Sequence, residues 1–455
     1  MWEGHRAARR TSRRLPVLAV VCAALLCCAA ASAAPALAAP GDFAWLWTDV
    51  GLTSGYGQAD ACVVNGADDV VSVGSLPTGA TTYEPFIREL ASSRTPWYGG
   101  PLTANGELVA VTPASSGGTV AVGSIVTPGH GRDFLIARRS SDGTTTTKIW
   151  DGAAHREDRA KAVARRADGS ILVTGMSEAA DGSYDIVLVK YGPAGGRRWV
   201  KRFSSDRNDV PCAVKARGSA LYVAGRADRG DHREDVVLLK YDATTGKRLW
   251  ARHYDDSLHL DDFATSMVVT GSGIYLAGGG RTSEAGGDAL LLRYLGDGTL
   301  KWARYTAGTP GMFDAWAAVA AASDDSIVTT GYVWRKATGD DLVTARYSSA
   351  GARRWERLFS SAGQRLDAGQ AVVVDKTTGD IYIAGTISSA ATGEDMGAVV
   401  YGPSGTRRWF ARVDGGVAGR DWANACAVSR DSVYLVGGAA KAPADYDFAV
   451  ARLVK

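Results

Sequence analysis

Short runs of apolar and β-branched residues recur along this chain about every 50 residues, separated by turns rich in glycine and aspartate. In the clearest unit, from residue 160, the runs AKAVARR, SILVTG, DIVLVKY and RRWVKRF follow one another. Turns at Asp168-Gly169 and at residues 193–196 divide them. Short β-branched runs bounded by such turns predict strands and hairpins. Each unit therefore predicts one four-stranded sheet.

The third predicted strand and the turn after it form the most regular part of the repeat. The segment DIVLVKYGPAGGRRW has close variants elsewhere in the chain, and the copies begin at Asp185, Asp235, Asp288, Asp341, Asp395 and, shortened, Asp447. Two less regular units precede the first of these. Repetition at this period is typical of propeller blades and similar arrays.

The two ends of the chain complement each other. The last unit has three predicted strands, whereas residues 43–50, FAWLWTDV, resemble a fourth strand with no partners before it. Trp45 precedes Cys62 by 17 residues, the distance that also separates Trp409 from Cys426. We therefore predict an all-β, eight-bladed propeller whose N-terminal strand completes the last blade, which removes open sheet edges. The alternative is a ring of seven blades with one irregular repeat unpaired.

One tryptophan occupies the same repeat position in every unit, and glycine precedes it by four residues in five of them. Carbohydrate stacking is one interpretation of repeated aromatic residues. Eight equivalent copies favour a structural role instead, in which each indole fills the space between adjacent blades. The residues are Trp45, Trp97, Trp150, Trp199, Trp250, Trp302, Trp355 and Trp409.

The first 38 residues predict export. Five arginines precede an apolar run over residues 15–31, and Ala36-Leu37-Ala38 resembles a cleavage site. We expect a signal peptide at 1–38 and a single propeller domain at 39–455, secreted by the general route or, given Ser12-Arg13-Arg14, by a twin-arginine route. An uncleaved anchor is the alternative, although the run is short for a membrane span.

Removal of the leader changes the charge balance. It carries five of the 51 basic and one of the 48 acidic residues, so the remaining chain is nearly neutral. This balance argues against nucleic acid or an anionic membrane as partner. Three cysteines remain, Cys62, Cys212 and Cys426, and an odd number excludes a complete disulfide framework. We interpret them as small buried hydrophobes, with a bridge between Cys62 and Cys426 left open.

The repeat also resembles known families. The pattern D-x(5)-Y followed by G-x(3)-W, with I-Y-x-A-G before it, resembles the β-propeller repeat of secreted bacterial proteins. It is similar to the propellers of quinoprotein dehydrogenases, whose tryptophan-docking motif matches Asp242, Thr245, Gly246 and Trp250. The resemblance implies a propeller. A quinone-cofactor enzyme of that group would carry adjacent cysteines and a calcium site, and the mature chain has no adjacent cysteine pair.

Two series of aspartates are predicted on one face of the ring, before the first and third strands of the blades. The first series includes the candidate mouth residues Asp158, Asp209, Asp262, Asp314, Asp367 and Asp421, and the second runs from Asp133 to Asp447. Basic residues such as Arg197, Arg198, Arg353 and Arg407 fall in turns on the opposite face. This pattern predicts a disc that is acidic on one side and basic on the other. The aspartates could bind a cation or accept hydrogen bonds from turn amides.

Some residues near that mouth break the repeat. Asp255, Asp256, His259 and Asp261 are candidate ligands for a divalent metal such as Ca²⁺, although they lack EF-hand spacing. Histidines beside carboxylates at 155–158 and 231–235 could supply a general base, but no nucleophile is evident. Tryptophans outside the repeat position could form a platform for a glycan or peptide, and these are Trp316, Trp334 and Trp422.

Repeat symmetry favours binding over catalysis, because a catalytic site needs different groups in different roles. We expect a secreted, monomeric, non-enzymatic scaffold with no cofactor, which binds an extracellular protein or glycan. The alternative is a propeller enzyme, either a quinone-cofactor oxidoreductase or a lyase or hydrolase that uses the acidic mouth.

Overall fold

The computed structural model consists of β-strands joined by turns and loops. It describes residues 39–49, 56–65, 68–79, 81–90, 97–99, 105–114, 117–230, 233–283, 286–361, 365–417, 419–442 and 445–455, and the predicted leader lies outside them. Within these ranges the strands form eight antiparallel sheets with four strands each along their main path. The predicted eight-bladed propeller is confirmed and the seven-bladed alternative is wrong. No helix among the described residues is long and apolar enough to cross a membrane.

The first half of the ring follows the sequence in order. β1 (Phe43–Asp49) comes first in the chain but belongs to the last blade. Blade 1 contains β2 (Gln58–Val64), β3 (Val70–Pro77), β4 (Tyr83–Leu90) and β5 (Trp97–Gly99). Blade 2 contains β6 (Gly106–Pro113), β7 (Thr119–Thr127), β8 (Gly131–Arg139) and β9 (Thr145–Trp150). Blade 3 contains β10 (Asp158–Arg165), β11 (Ile171–Glu178), β12 (Tyr184–Tyr191) and β13 (Arg197–Phe203). Blade 4 contains β14 (Asp209–Arg217), β15 (Ala220–Asp228), β16 (Glu234–Asp242) and β17 (Arg248–Tyr254).

The second half adds two short strands to the same plan. Blade 5 contains β18 (Asp262–Val269), β19 (Ile274–Ser283), β20 (Gly286–Tyr294) and β21 (Leu300–Thr306). Blade 6 contains β22 (Ala315–Ala321), β23 (Ile327–Arg335), β24 (Gly339–Tyr347), β25 (Arg353–Phe359) and, parallel to β24, β26 (Arg365–Leu366). Blade 7 contains β27 (Ala368–Val374), β28 (Ile381–Ser389), β29 (Gly393–Tyr401), β30 (Arg407–Val413) and, parallel to β29, β31 (Gly419–Arg420). Blade 8 contains β32 (Trp422–Val428), β33 (Ser432–Ala442), β34 (Asp445–Val454) and β1.

Strand β1 closes the ring. It pairs antiparallel with β34 over the register from Phe43 opposite Leu453 to Asp49 opposite Phe448. The backbone amide of Gly41 also donates to the carbonyl of Val454 at 2.8 Å. The predicted closure by the N-terminal strand is therefore confirmed, and it covers the edge of β34 that blade 8 would otherwise expose.

The hydrophobic core lies between blades rather than inside them. Each of the eight junctions between neighbouring blades carries its own cluster of buried apolar side chains. Between blades 3 and 4, for example, Leu172 and Leu188 contact Val214 and Leu221. Apolar side chains on both faces of each sheet are thus buried, which explains why the strands read as continuous hydrophobic runs.

A bulge interrupts the first strand of every blade at the same place. In blade 6 the register shifts between Trp316 and Ala318, opposite Gly331 of the second strand. The carbonyl of Ala315 points at that glycine, so a Cβ at position 331 would lie 1.9 Å from its oxygen. The glycine that ends the repeated motif I-Y-x-A-G therefore makes room for the bulge.

The repeat tryptophans contact the turn of the next blade. Trp355 is buried, and its Nε1 donates to the carbonyl of Pro403 at 3.0 Å. A Cβ at Gly405, whose φ is +81°, would lie 2.8 Å from the indole. Glycine is needed there both for its left-handed backbone and for the close approach. The same contact joins Trp199 to the Gly246 turn.

The N-terminal segment reproduces this contact across the closure. Gly41 precedes Trp45 by four residues, the spacing that five of the other repeats also have. Its φ is +87°, and a Cβ there would lie 2.9 Å from the ring of Trp409 in blade 7. The side chains of Trp45 and Trp97 lie outside those described.

The three cysteines of the described chain are free thiols, so no bridge links Cys62 to Cys426. Burial raises the pKa of Cys212 and of Cys426 to about 12. At neutral pH both are therefore protonated, and they act as small apolar side chains in the blade interfaces, as the sequence predicts.

Candidate functional site

The loops before the first and third strands of the blades form one side of the ring, called here the upper face. In blade 3, Asp158 of β10 lies opposite Ser177 of β11, which lies opposite Asp185 of β12. In blade 4 the equivalent row is Asp209, Ala227 and Asp235. The pairing register thus brings both aspartate series to the same edge of each blade.

The aspartates of the first series are structural acceptors. Asp421 accepts the backbone amides of Gly415 and Ala440, both at 2.6 Å. Asp314 likewise accepts the amide of Trp334 at 2.7 Å, together with an amide six residues before it in the chain. These bonds hold the loop between blades on the second strand, as side-chain oxygens commonly do in turns.

The sequence predicts exposed aspartates at the mouth of the channel, but the structure buries them. All six predicted mouth aspartates are at most 2% exposed, and these are Asp158, Asp209, Asp262, Asp314, Asp367 and Asp421. Burial raises the pKa of Asp262 to about 7 and those of Asp209 and Asp421 to about 6. The sequence could not reveal this, because an aspartate before a strand is equally compatible with solvent and with amide capping.

The aspartates of the second series are mostly paired with arginines of the same blade. The pairs with their N–O distances are Asp185–Arg202 at 2.6 Å, Asp235–Arg229 at 3.9 Å, Asp341–Arg335 at 3.9 Å and Asp395–Arg412 at 4.0 Å. A buried carboxylate needs such a partner, because the charge is expensive to bury alone.

The predicted division into an acidic and a basic face is wrong. On the upper face Arg420 pairs with Glu394 at 2.6 Å. On the opposite side Arg166 pairs with Asp168 at 2.6 Å, in the turn between the first and second strands of blade 3. Each face therefore carries both charges.

The three candidate platform tryptophans have different surroundings. Trp316 is completely buried in the cluster between blades 5 and 6, beside Tyr275 and Trp302. It offers no ring face to a ligand, because its side chain in β22 points into the space between blades. Trp334 and Trp422 are half-buried.

Trp422 lies in a pocket where the first strands of blades 7, 8 and 1 reach the upper face. The pocket has a volume of about 400 Å³ and is lined by Tyr56, Gln58, Gln370, Thr386, Arg420, Trp422, Asn424 and Tyr446. Since the first strands of neighbouring blades contact one another around the centre of the ring, the pocket opens beside the central channel.

The pocket combines aromatic rings with planar polar groups. The rings of Tyr56 and Tyr446 are 4.8 Å apart, and the ring of Trp422 meets Tyr446 edge-on at 5.1 Å. The guanidinium of Arg420 lies 5.6 Å from the Trp422 ring. Asn424 is held by its bond to the carbonyl of Ala59 at 2.9 Å. An apolar wall with a few oriented donors and acceptors is characteristic of small-ligand sites.

The loop of residues 254–262 brings together part of the metal set predicted from the sequence. Asp255 and Asp256 approach buried Asp262, and His259 Nδ1 lies 2.7 Å from Asp255. Asp261 turns away and pairs with Arg281 at 3.6 Å. The prediction therefore included Asp261 where the structure places Asp262.

A second histidine and carboxylate cluster lies between blades 2 and 3. The sequence placed His155, Asp158 and Asp133 on this face, but it missed His130 and Asp151. His130 and Asp133 come from the hairpin between β7 and β8, and Asp151, His155 and Asp158 come from the connection between β9 and β10. His130 and His155 both point Nδ1 at Oδ2 of Asp151, at 2.8 and 2.5 Å. The pattern D-x(3)-H-x(2)-D, shared by residues 151–158 and 255–262, was the available signal. The other candidates from the sequence, Asp231 and His232, lie outside the described residues.

In this cluster the pKa values of the three aspartates shift in different directions. Burial raises the pKa of Asp158 to about 6, and the charges of Asp133 and Asp151 add to the rise. Burial likewise raises the pKa of Asp133. Burial also opposes the charge on Asp151, but hydrogen bonds from His155 and His130 outweigh it and lower its pKa.

Comparisons with known proteins establish the fold and nothing finer. No protein-family model and no curated protein matches the chain. The structure is similar to Sqt1 from Chaetomium thermophilum, with TM-score 0.55 and 12% identity over 88% of this chain and 96% of that one. It is also similar to the quinohemoprotein alcohol dehydrogenase ADHIIG from Pseudomonas putida HK5, with TM-score 0.54 and 9% identity over 91% and 76%. The likeness to quinoprotein propellers thus extends to the fold, and a fold does not carry an activity.

Proposed function

We propose that this protein is a secreted, non-enzymatic propeller that binds a glycan in the pocket beside the central channel. The observation that carries the proposal is the continuous wall of Tyr56, Tyr446 and Trp422 facing Gln58 and Gln370. Sugar rings present apolar C–H faces and many hydroxyls. Aromatic side chains cover the C–H faces, and amide groups form hydrogen bonds with the hydroxyls.

The size and position of the pocket support a ligand of a few sugar units. Its volume of about 400 Å³ falls in the range typical of ligand sites. Arg420 also lines the pocket and pairs with Glu394 at 2.6 Å. A side chain restrained in this way loses less entropy when it binds a ligand.

The lining also favours binding over hydrolysis. Among the eight described residues that line the pocket, none is a carboxylate. Cleavage of a glycosidic bond ordinarily requires two carboxyl groups on either side of the bond. The buried aspartates of the upper face, which accept loop amides, give little support to a lyase or hydrolase that uses them.

A glycan array followed by calorimetric titration tests this proposal. We expect the protein without its leader to bind a soluble oligosaccharide from a panel of neutral plant, fungal and bacterial glycans. Trp422→Ala should weaken that binding at least tenfold, which corresponds to about 1.4 kcal/mol. Trp334→Ala is the matched control, because Trp334 is a half-buried tryptophan of the same face outside the pocket.

If Trp422→Ala and Tyr446→Ala both bind the glycan as strongly as the native protein does, the assignment of the pocket is contradicted. An absence of glycan binding across the panel, in protein that melts normally, would contradict the proposed function. Capture of an extracellular protein that Trp422→Ala abolishes would instead assign the same pocket to a protein partner.

A further inference from the structure

Several carboxylate oxygens between blades 2 and 3 have no hydrogen-bond donor. They are both oxygens of Asp133, Oδ1 of Asp151 and Oδ1 of Asp158, within the chain that the structure describes. Asp133 and Asp158 are each only 1% exposed. The hydroxyls of Thr127 and Ser177 lie near Asp133 and Asp158 and oppose the rise in their pKa, but these neutral groups supply no positive charge. Buried acceptors without donors are rare and costly, so this group points to a positive charge.

The oxygens converge on one place. Asp133, Asp151 and Asp158 each direct one oxygen so that all three lie within 4.8 Å of one another. Gly152 donates its amide to Oδ2 of Asp158 at 2.5 Å, and Oδ1 of the same carboxylate has no donor. Three carboxylates at this separation repel one another unless a cation or protons lie between them.

The propeller repeat supplies an internal comparison. In blade 3, Arg202 of β13 neutralises buried Asp185 at 2.6 Å. In blade 2 the residue at the position of Arg202 is Ile149, which the strand register identifies because Leu135 pairs with Ile149 as Val187 pairs with Arg202. Among the described residues, no lysine or arginine forms an ion pair with Asp133, Asp151 or Asp158. Blade 2 therefore lacks a positively charged side chain at the position that Arg202 occupies in blade 3.

Two imidazoles complete the solvent side of the cluster. His130 and His155 come from different loops, and their ring centroids are 4.8 Å apart. Both Nδ1 atoms approach the same oxygen of Asp151, so the cluster already gathers two nitrogens and a shared carboxylate. His155 reaches this position from a left-handed backbone with φ of 52°.

The histidines of the whole chain follow the same pattern. The sequence has six histidines, and one of them, His5, lies in the predicted leader. Four of the other five occur in two copies of one arrangement, H-x(2)-D before a third strand and D-x(3)-H-x(2)-D before the next blade. The copies span residues 130–158 and 232–262. Histidines that only form turns have no reason to recur at a fixed spacing from aspartates, whereas histidines that bind a metal do.

We propose that His130, His155 and Asp151, with Asp133 and Asp158 behind them, bind a divalent transition-metal cation of the Zn²⁺ class. Zn²⁺ accepts imidazole nitrogen at about 2.0–2.1 Å and carboxylate oxygen at about 2.0–2.2 Å. Mixed nitrogen and oxygen donors favour Zn²⁺, Co²⁺ or Ni²⁺ over Ca²⁺, which prefers oxygen alone. The cation replaces the protons between the histidines and Asp151, so binding releases protons. The metal would join the loops of blades 2 and 3, whereas the proposed glycan pocket is built by blades 7, 8 and 1.

Titration with Co²⁺ as a spectroscopic probe tests the proposal. The protein without leader or polyhistidine tag is stripped with a chelator and titrated while the visible absorption of Co²⁺ is recorded. We expect absorption bands that saturate at one or more equivalents, loss of these bands on addition of Zn²⁺, and a rise in melting temperature with either metal.

Ile149→Arg is the decisive variant, because it places the missing cation beside Asp133 and removes no ligand. We expect it to lose one equivalent of Co²⁺. Leu358→Arg is its matched control, since Leu358 occupies the same repeat position in blade 6 and is 39% exposed. In the same way, Asp133→Asn should weaken binding at least tenfold, and Asp185→Asn at the equivalent position of blade 3 should not.

Retention of the full stoichiometry in both Ile149→Arg and Asp133→Asn would overturn the proposal, as would the absence of any Co²⁺ or Zn²⁺ binding. Binding of Ca²⁺ alone, unchanged in His155→Ala, would overturn the assignment of the imidazole ligands. Circular dichroism of each variant shows whether it is folded. If Ile149→Arg does not fold, His155→Ala carries the same test, with one equivalent of Co²⁺ expected to be lost.

Discussion

At the scale of single residues, aspartate carries most of the information in this propeller, and its burial makes stability depend on pH. Burial raises the pKa of Asp60 to about 7, and the neighbouring charge of Glu107 adds to the rise. Between about pH 4 and 7 the native state therefore holds a proton that the unfolded chain has released. By linkage, the contribution of Asp60 to the free energy of unfolding falls as pH rises through this window, and the loss is complete above it.

Asp60→Asn should consequently stabilise the protein at pH 8 and leave it unchanged near pH 3.5, because the amide cannot ionise. Its side-chain oxygen can still accept the bond from Gln58 Nε2, which is 2.7 Å long in the native protein. Melting temperatures of both proteins from pH 3.5 to 8 check this. Asp142→Asn is the control, since hydrogen bonds from Ser140 and Thr144 lower the pKa of Asp142 and predict no gain at pH 8. Parallel melting curves for Asp60→Asn and the native protein at every pH would contradict the expectation.

The residue scale is also where sequence reasoning was weakest. The sequence placed the aspartates at the correct edge of the blades, because the repeat fixes their register. It could not show whether a given oxygen meets an amide, an arginine or another carboxylate, since these partners come from other strands and loops of the folded ring. The exchange of Arg202 for Ile149 was visible in the aligned repeats, yet it acquires meaning only once Asp133 is known to be buried. Trp316 and Trp422 read alike in sequence, and strand orientation separates them.

At the scale of the strand, the repeated bulge explains the most regular glycine of the motif. Gly331→Ala would place a Cβ 1.9 Å from the carbonyl oxygen of Ala315, which only a backbone shift could relieve. We expect a loss of about 3 kcal/mol or more in the free energy of unfolding. Thermal and denaturant unfolding measure it, with Gly196→Ala as the control.

A Cβ at Gly196 would have no other heavy atom within 4 Å, so its replacement by alanine should change stability by less than about 0.5 kcal/mol. Equal melting temperatures for the two variants would mean that the bulge relaxes easily. The sequence predicted strands and turns here but not the bulge, because an extra residue in a strand leaves no mark in a pattern of small apolar side chains.

The contact between neighbouring blades rests on tryptophan and the turn that covers it. Trp355 is 9% exposed, and Arg357 lies 5.8 Å from its ring while donating from Nε to the carbonyl of Gly405 at 2.8 Å. Trp355→Ala removes the ring and leaves that turn without support, so we expect a loss of about 3–5 kcal/mol. Trp355→Phe should lose less, because it keeps an aromatic ring beneath Gly405. Calorimetric melting of both variants checks the order, and an equal loss in the two would locate the effect in the bond to Pro403 instead.

At the scale of the whole molecule, the ring is closed by a strand from the opposite end of the chain. The repeats made this closure predictable. The N-terminus carries a fourth strand without a blade, and the last blade lacks a fourth strand, so the first must complete the second. The irregular first two blades were still identified, because turns and strand lengths survive where the tryptophan motif does not. What repetition cannot predict is the site, as both the proposed glycan pocket and the proposed metal cluster arise where the repeat is broken.

Closure by β1 gives the last prediction. Without residues 39–49, the edge of β34 from Phe448 to Leu453 loses its partner, and the Gly41 turn no longer covers Trp409. We expect this truncated chain to melt at a clearly lower temperature and to form dimers or larger species through the exposed edge, because unpaired strand edges promote association. Moving residues 39–49 behind Lys455 through a short flexible linker restores all four strands of blade 8 within one stretch of chain. That permuted protein should regain the native melting temperature and elute as a monomer in size-exclusion chromatography. If the truncated chain already melts as the native protein does, the eight blade interfaces hold the ring without the closing strand, and the pairing of β1 with β34 contributes little to stability.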